Sequence, residues 1–288
     1  MRARLLVIFS GICFGTTGTA QALGPKDASS LTIGATRLLV GSLLLILVAG
    51  LSPKSEREPT KVRRRAWVIA GLGMSCYQLT FFAAVRSTGV AVGTVVALGS
   101  APAITGLLSW LVLRHRPSRI WFAATVVAVV GVTTIATSGA SAHVNAIGVL
   151  LALGAGLSYA LFAISSKEIL QSGISTEQAM ARIFAIGAVP LLPILYFGNT
   201  HWLFTSKGIA LALWLGLVPT AIAYLAYGAG LRHLHANEAS TLTLAEPITA
   251  TLLGFFLLHQ HLGAPAWSGI ILVFSGLVLL SLQRTRQV

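Results

Sequence analysis

The chain has 288 residues, 55% of them hydrophobic and only 9% charged, where a soluble domain carries about 25% charged residues. With a mean hydropathy of +0.83, that balance excludes an ordinary soluble enzyme or binding module and places the chain in a bilayer. The formal net charge of +13 invites a nucleic-acid reading until the basic residues are placed, while Cys13 and Cys76 sit inside apolar stretches and read as packing residues.

Taken in order, ten apolar segments emerge at residues 4–23, 31–51, 66–86, 90–113, 119–138, 145–165, 177–197, 208–231, 236–258 and 264–282. Each is near the ~20 residues a spanning helix needs, and the loops between them are short. The first, with Arg2 and Arg4 before it and Ala20-Gln21-Ala22 after it, has the outline of a cleavable leader. A second apolar segment follows at once, so the first is read as a retained helix. With the N-terminus inside, 15 Lys and Arg fall on the cytoplasmic side: Arg2, Arg4, six in 54–65, Arg114, Arg116, Arg119, Lys167, Arg232, Arg284 and Arg286. Only 3 fall outside, Lys26, Arg86 and Lys207. The positive-inside rule then puts both termini in the cytoplasm, and the same distribution explains most of the net charge without nucleic acid. Trp67, Trp121, Trp202 and Trp267 lie near segment ends and read as interfacial anchors.

The sequence is written twice. A shift of 145 residues superposes Gly11 on Gly156, Arg37 on Arg182, Pro102 on Pro247, Leu107-Leu108 on Leu252-Leu253, Leu113 on Leu258 and Gly131 on Gly276, without a gap. The halves are residues 1–142 and 143–288. Five helices is an odd number, so the second half enters the membrane upside down. The expected fold is therefore an all-α polytopic membrane protein: ten transmembrane helices as two inverted five-helix repeats around a central cavity.

The ninth segment carries the sharpest feature, Glu246 followed directly by Pro247 in TLAEPITATLLGFFLL. A carboxylate at that depth costs roughly 2.5–3.5 kcal/mol on insertion scales, so something other than lipid must surround it. Its readings are a counter-charge for a substrate ammonium, a protonatable group that couples export to the proton gradient, or a neutral carboxyl bonded to a neighbouring backbone. Its repeat mate is Ala101.

Val95–Val132 and Ser240–Leu279 resemble the fourth and fifth helices of the two EamA-type repeats of the drug/metabolite transporter superfamily, and GICFGTT and ATRLLVGSLLL resemble the first two helices. The resemblance covers essentially the whole chain. It implies an inner-membrane carrier with a cavity between its halves, similar to bacterial exporters of amino acids and related metabolites, including the YddG kind. Where some aromatic-amino-acid exporters carry tryptophan, this chain has Ala101 and Ser158.

Helical spacing selects the faces that could meet Glu246. Thr243, Glu246 and Ala250 share a face of helix nine; Tyr77 and Phe81 stack in helix three beside Gln78. Helix eight offers Thr220, Tyr224 and Tyr227; helix one Phe14, Thr17, Gly18 and Gln21; helix six Tyr159, Phe162 and Ser166. These stripes are either cavity walls or interhelical hydrogen-bonding contacts. Pro102 and Pro247 read as paired kinks that free the carbonyls of Leu98 and Thr243, and Pro219, without a mate, as a local bend. Arg37 and Arg182 lie close enough to helix ends to snorkel to the interface; the alternative is that they form a gate or meet a substrate carboxylate. Gly11/Gly15 and Gly89/Gly93 suit close helix contacts, within or between monomers.

His233/His235 and His259/His261 are spaced i, i+2, which points the rings apart, and His115 likewise ends a helix, so no metal site is expected. No Walker, G-x-S-x-G or HExxH sequence occurs. The expectation is a cofactor-free secondary transporter in the bacterial inner (plasma) membrane, exporting amino acids or related small metabolites by alternating access, with its oligomeric state open. Alternatives are efflux of cationic drugs and, from other classes, an intramembrane enzyme or a structural membrane subunit.

Overall fold

The computed structural model describes residues 1–52, 60, 62–114, 116–137, 145–259, 261 and 263–282. His115 and, of the basic residues counted above, Lys54, Arg57, Lys61, Arg284 and Arg286 lie outside the described residues. Among the described residues ten helices are long and apolar enough to cross a membrane: α1 Arg2–Leu23, α2 Ser30–Leu51, α3 Arg64–Gly89, α4 Val92–Val112, α5 Arg119–Thr137, α6 Ala146–Gln171, α7 Thr176–Phe197, α8 Ser206–Leu231, α9 Ala236–Leu258 and α10 Ala264–Leu282. Side-chain caps start several of them. Ser29 accepts from Thr32 N at α2, Asn145 from Ile147 N at α6, Ser175 from Gln178 N at α7 and Thr205 from Gly208 N at α8.

Four spans depart from a regular α-helix in ways that bear on function. The chain passes from α3 to α4 through Gly89, whose φ of +82° is open to glycine and strained for other residues. Residues Val189–Leu191 of α7 tighten into a 3-10 turn at Pro190. Leu217–Ile222 of α8 form a π-helical segment around Pro219. α9 is two helices, Ala236–Leu242 and Ala245–Leu258, separated at Thr243 and Leu244, so that Glu246 lies in the first turn of the second.

Packing runs between the halves. α1 lies against α8 and the second part of α9, α2 against α7 and α8, α3 and α4 against α6, and α5 against α10. Close approaches are made at glycines, and three of them come in matching pairs 145 residues apart. A Cβ on Gly11 would meet Ala245 Cβ, Thr243 O and Glu246 N at 3.1–3.4 Å; one on Gly156 would meet Ser100 Oγ, Ala97 O and Ala101 N. Gly216 abuts Val40 and Gly41 of α2, and Gly71, 145 residues earlier, abuts Ile186 and Gly187 of α7. Gly131 and Gly276 both sit at the α5–α10 contact. Gly11 and Gly15 thus serve contacts within the chain.

The outer surface is apolar. Phe9, Leu43, Leu47, Phe122, Ile271 and Phe274 are all exposed, as suits contact with acyl chains and not water. Cys76 also faces outward, so only the buried Cys13 is a packing residue. Two of the four tryptophans expected at the interface are core residues. Trp121 donates from Nε1 to Asn237 O and Thr241 Oγ1, both at 3.0 Å, and Trp202 donates to Thr32 Oγ1 at 3.2 Å. Position near a segment end did not reveal that their faces point inward. Lys167, counted as a loop residue, is buried in α6, where Nζ takes the carbonyls of Leu231 and Arg232 at 3.0 and 2.8 Å. Near it, Arg4 and Glu238 are buried too, and Arg4 Nη1 donates to Ser281 O. At this end of the molecule Lys167 ties α6 to the end of α8, and Arg4 ties α1 to α10.

Candidate functional site

The break in α9 is built by its sequence. Proline has no N–H to give the carbonyl four residues back, and in place of Pro247 the Glu246 N–H bonds Thr243 O at 2.9 Å. Leu244 N–H likewise bonds Thr241 O, and Thr243 turns its hydroxyl back to Ser240 O at 2.8 Å. Every residue of Ala236–Leu242 is buried. Thr241 and Asn237 are gripped from α5 by Trp121, and Thr241 Oγ1 lies 2.9 Å from Thr125 Oγ1. α1 closes on the other side, where a Cβ on Gly15 would strike Thr249 Cβ at 2.5 Å and Glu246 O at 2.6 Å. The segment that carries Glu246 in its first turn is therefore held by backbone-close contacts.

In front of the break lies a narrow cavity lined by Phe14, Arg37, Tyr77, Leu98, Ala101, Tyr159, Tyr224, Ser240, Thr243, Leu244 and Glu246. The space open to the centre of a water molecule is about 40 Å³, room for roughly three waters. Aromatic rings form much of the wall: Phe14 and Tyr224 stand 4.9 Å apart, Tyr77 and Tyr159 6.1 Å. Two of the hydroxyls are engaged sideways. Tyr159 Oη is 3.4 Å from Thr243 Oγ1, and Tyr224 Oη donates to Met74 Sδ at 3.8 Å.

Of the sequence candidates, Phe14, Tyr77, Tyr159, Tyr224, Thr243 and Glu246 meet at this cavity. Phe81 stacks behind Tyr77 at 5.7 Å, and Phe162 and Tyr227 stack on each other at 5.9 Å behind Tyr159 and Tyr224. Gln78 is buried away from the lining, as is Thr17 Oγ1, and Gln21 lies near the end of α1. Gly18 faces open space, so a larger residue there would not fill the cavity. Ser240 and Leu98 are additions the helical stripes did not select. Larger clefts, about 690 Å³ between α4 and α5 and about 600 Å³ between α1, α8 and α9, open to the lipid side past Leu107, Trp110 and Phe122, and past Trp214 and Leu257. They carry none of the buried charges.

Arg37 does not snorkel. It points inward, with Nε donating to Thr220 Oγ1 at 3.0 Å and Nη2 to Pro219 O at 2.9 Å. The acceptors exist because of Pro219. Lacking an N–H, it leaves Leu215 O without its α-helical donor, and Thr220 Oγ1 takes that carbonyl at 2.7 Å. Ala223 N–H, which a regular helix would aim at Pro219 O, bonds Val218 O and Thr220 O instead. Pro219 O is thus turned to Arg37, in the manner of π-segments that serve functional sites. Arg182, the repeat mate, stays exposed and lies over the Trp67 ring at 5.7 Å. The proline pair also divides. Pro247 stands at the break in α9, whereas no residue around Pro102 leaves helical φ/ψ. The carbonyl that Pro102 frees belongs to Leu98 on the cavity wall, where water has room to take it.

Among the described residues no three His, Cys, Asp or Glu side chains come together. The sequence profile of the EamA-like transporter family matches residues 1–137 and again 146–282. The chain is 39% identical over 286 residues, 98% of its length and 95% of the relative's, to the uncharacterized transporter YwfM of Bacillus subtilis. It is 28% identical over 251 residues, 85% of its length and 82% of the relative's, to a probable terminal-alkyne amino-acid exporter of Streptantibioticus cattleyicolor. A crystal structure with 19% sequence identity superposes with a TM-score of 0.82 over 97% of this chain and 96% of that one, which bears on the fold alone. Ten spanning helices, a profile matched once in each half and a relative aligned nearly end to end agree: the chain belongs to the EamA-like transporter family, within the drug/metabolite transporter superfamily.

Proposed function

We propose that this transporter is a secondary carrier that exports amino acids or related small metabolites by alternating access. The observation that carries the reading is the cavity at the break in α9, where Glu246 and Arg37, from different halves, face one narrow space walled by aromatic rings. A space of about 40 Å³ is too small for an amino acid, so the walls must part for the substrate to enter. The reciprocal glycine contacts support two inverted repeats, residues 1–142 and 143–288, that rock about these interfaces. The excess of Lys and Arg on one side supports cytoplasmic termini. A probable amino-acid exporter among the relatives supports the substrate class.

The test is uptake of a panel of labelled amino acids and cationic drugs into proteoliposomes, with and without an imposed proton gradient. Amino-acid flux above protein-free vesicles is expected. Flux of cationic drugs alone would replace this reading by drug efflux, and flux indifferent to the gradient would make the protein a facilitator.

A further inference from the structure

We propose that Arg37 and Glu246 form a two-point clamp for a zwitterion, with Arg37 taking the substrate carboxylate and Glu246 its ammonium. The inference rests on the transport reading above and adds the chemistry that selects the substrate. Both residues line the same cavity, one from α2 and the other from the start of the second part of α9. Arg37 is fixed from behind. Its Nε and Nη2 are spent on Thr220 Oγ1 and Pro219 O, both uncharged, while Nη1 bonds nothing among the described residues. A guanidinium pre-oriented in this way offers its remaining N–H groups to a planar anion at little entropic cost. No carboxylate pairs with it at salt-bridge distance among the described residues, and the cavity's own carboxylate is Glu246. Glu246 in turn accepts no side-chain hydrogen bond among the described residues, and Thr243 and Ser240 beside it supply further acceptors for an ammonium.

The charges decide what fits. A zwitterion satisfies both groups and brings no net charge into the membrane interior. An amine without a carboxylate would occupy Glu246 and leave Arg37 facing a second cation; an acid without an amino group would do the reverse at Glu246. A site whose buried polar groups go unpaired with the wrong ligand discriminates more strongly than one that selects by shape. Thr220 and Pro219 are positioning residues, acting through Arg37.

The experiment uses the purified full chain in proteoliposomes and three competitors of one side chain: the amino acid carried fastest, its decarboxylated amine and its deaminated acid. For leucine these are 3-methylbutylamine and 4-methylpentanoate. The wild type is expected to prefer the zwitterion to either analogue by at least about tenfold. Arg37→Gln should lose most of its preference over the amine and Glu246→Gln most of its preference over the acid, a crossed pattern that mere destabilisation cannot produce. Binding of the same three compounds, read as thermal stabilisation of monodisperse detergent-solubilised protein, gives the same ranking for a variant too slow to transport. A wild type that moves no amino acid overturns the transport reading itself. A wild type that moves amino acids but accepts the amine equally well, or variants that weaken all three compounds alike, overturns the clamp and leaves the transport reading standing.

Discussion

Residues 98–102 of α4 and 243–247 of α9 occupy equivalent places in the two halves. Each is touched by a glycine 145 residues apart from the other's, Gly156 on one and Gly11 on the other, and Ala101 and Glu246 both face the cavity. Yet α4 runs on through Pro102, whereas α9 parts at Thr243 and Leu244. The arginines repeat the lesson. Arg37 is drawn inward by a carbonyl and a hydroxyl that Pro219 and Thr220 expose, while the position matching Pro219 is Met74, whose helix offers no such break, and Arg182 rests on Trp67 at the surface. The family profile matches both halves, and the buried charges are placed in them unequally.

The contrast can be broken most severely at the carboxylate. Glu246→Gln keeps the size and the helix start, so the protein should insert and remain monodisperse, but substrate flux in proteoliposomes should fall by about tenfold or more. Undiminished flux would remove Glu246 from the mechanism. Next is Pro219→Met, which copies the residue at the matching position of the first half. A regained N–H for Leu215 O should restore an α-helical turn and withdraw the acceptors from Arg37. Flux should fall about three- to tenfold, and the preference for zwitterion over amine should narrow with it.

The proline mates give a smaller, sharper contrast. An alanine at 247 would compete with Glu246 N–H for Thr243 O and mend the break, so Pro247→Ala should lower flux about threefold. Pro102→Ala, in a helix that never parts, should stay within about twofold of wild type. Equal losses from the two would deny that the break matters. Smallest for transport is Trp121→Phe, which removes the one indole N–H shared between Asn237 O and Thr241 Oγ1 in the first part of α9. Interhelical bonds of this kind average ~0.6 kcal/mol, so the melting temperature should drop by about 1–2 °C with flux little changed.

The spans were legible in the sequence because a helix in lipid must satisfy its own backbone, so length and apolarity alone mark where it runs. The expected segment 264–282 and the observed α10 coincide, and the expected end of segment nine is the end of α9. Glu246 stood out for the same reason: a carboxylate in such a run is costly. What the sequence did not disclose is which face of a helix meets which neighbour. Trp121, Trp202 and Lys167 sit near helix ends, where an interface residue and a buried one have the same local sequence. Arg37 looked like a snorkelling residue because its partners lie 182 and 183 positions away, on a helix whose irregularity had no mate to flag it. That missing mate was itself the available signal, since a proline present in one half alone marks where the halves differ.

The most direct measurement is the zwitterion-to-amine preference of Arg37→Gln and Arg182→Gln, taken side by side in proteoliposomes. The unequal placement of the two arginines predicts that the preference collapses in the first and is unchanged in the second. The same preference in both variants, kept or lost, would contradict it.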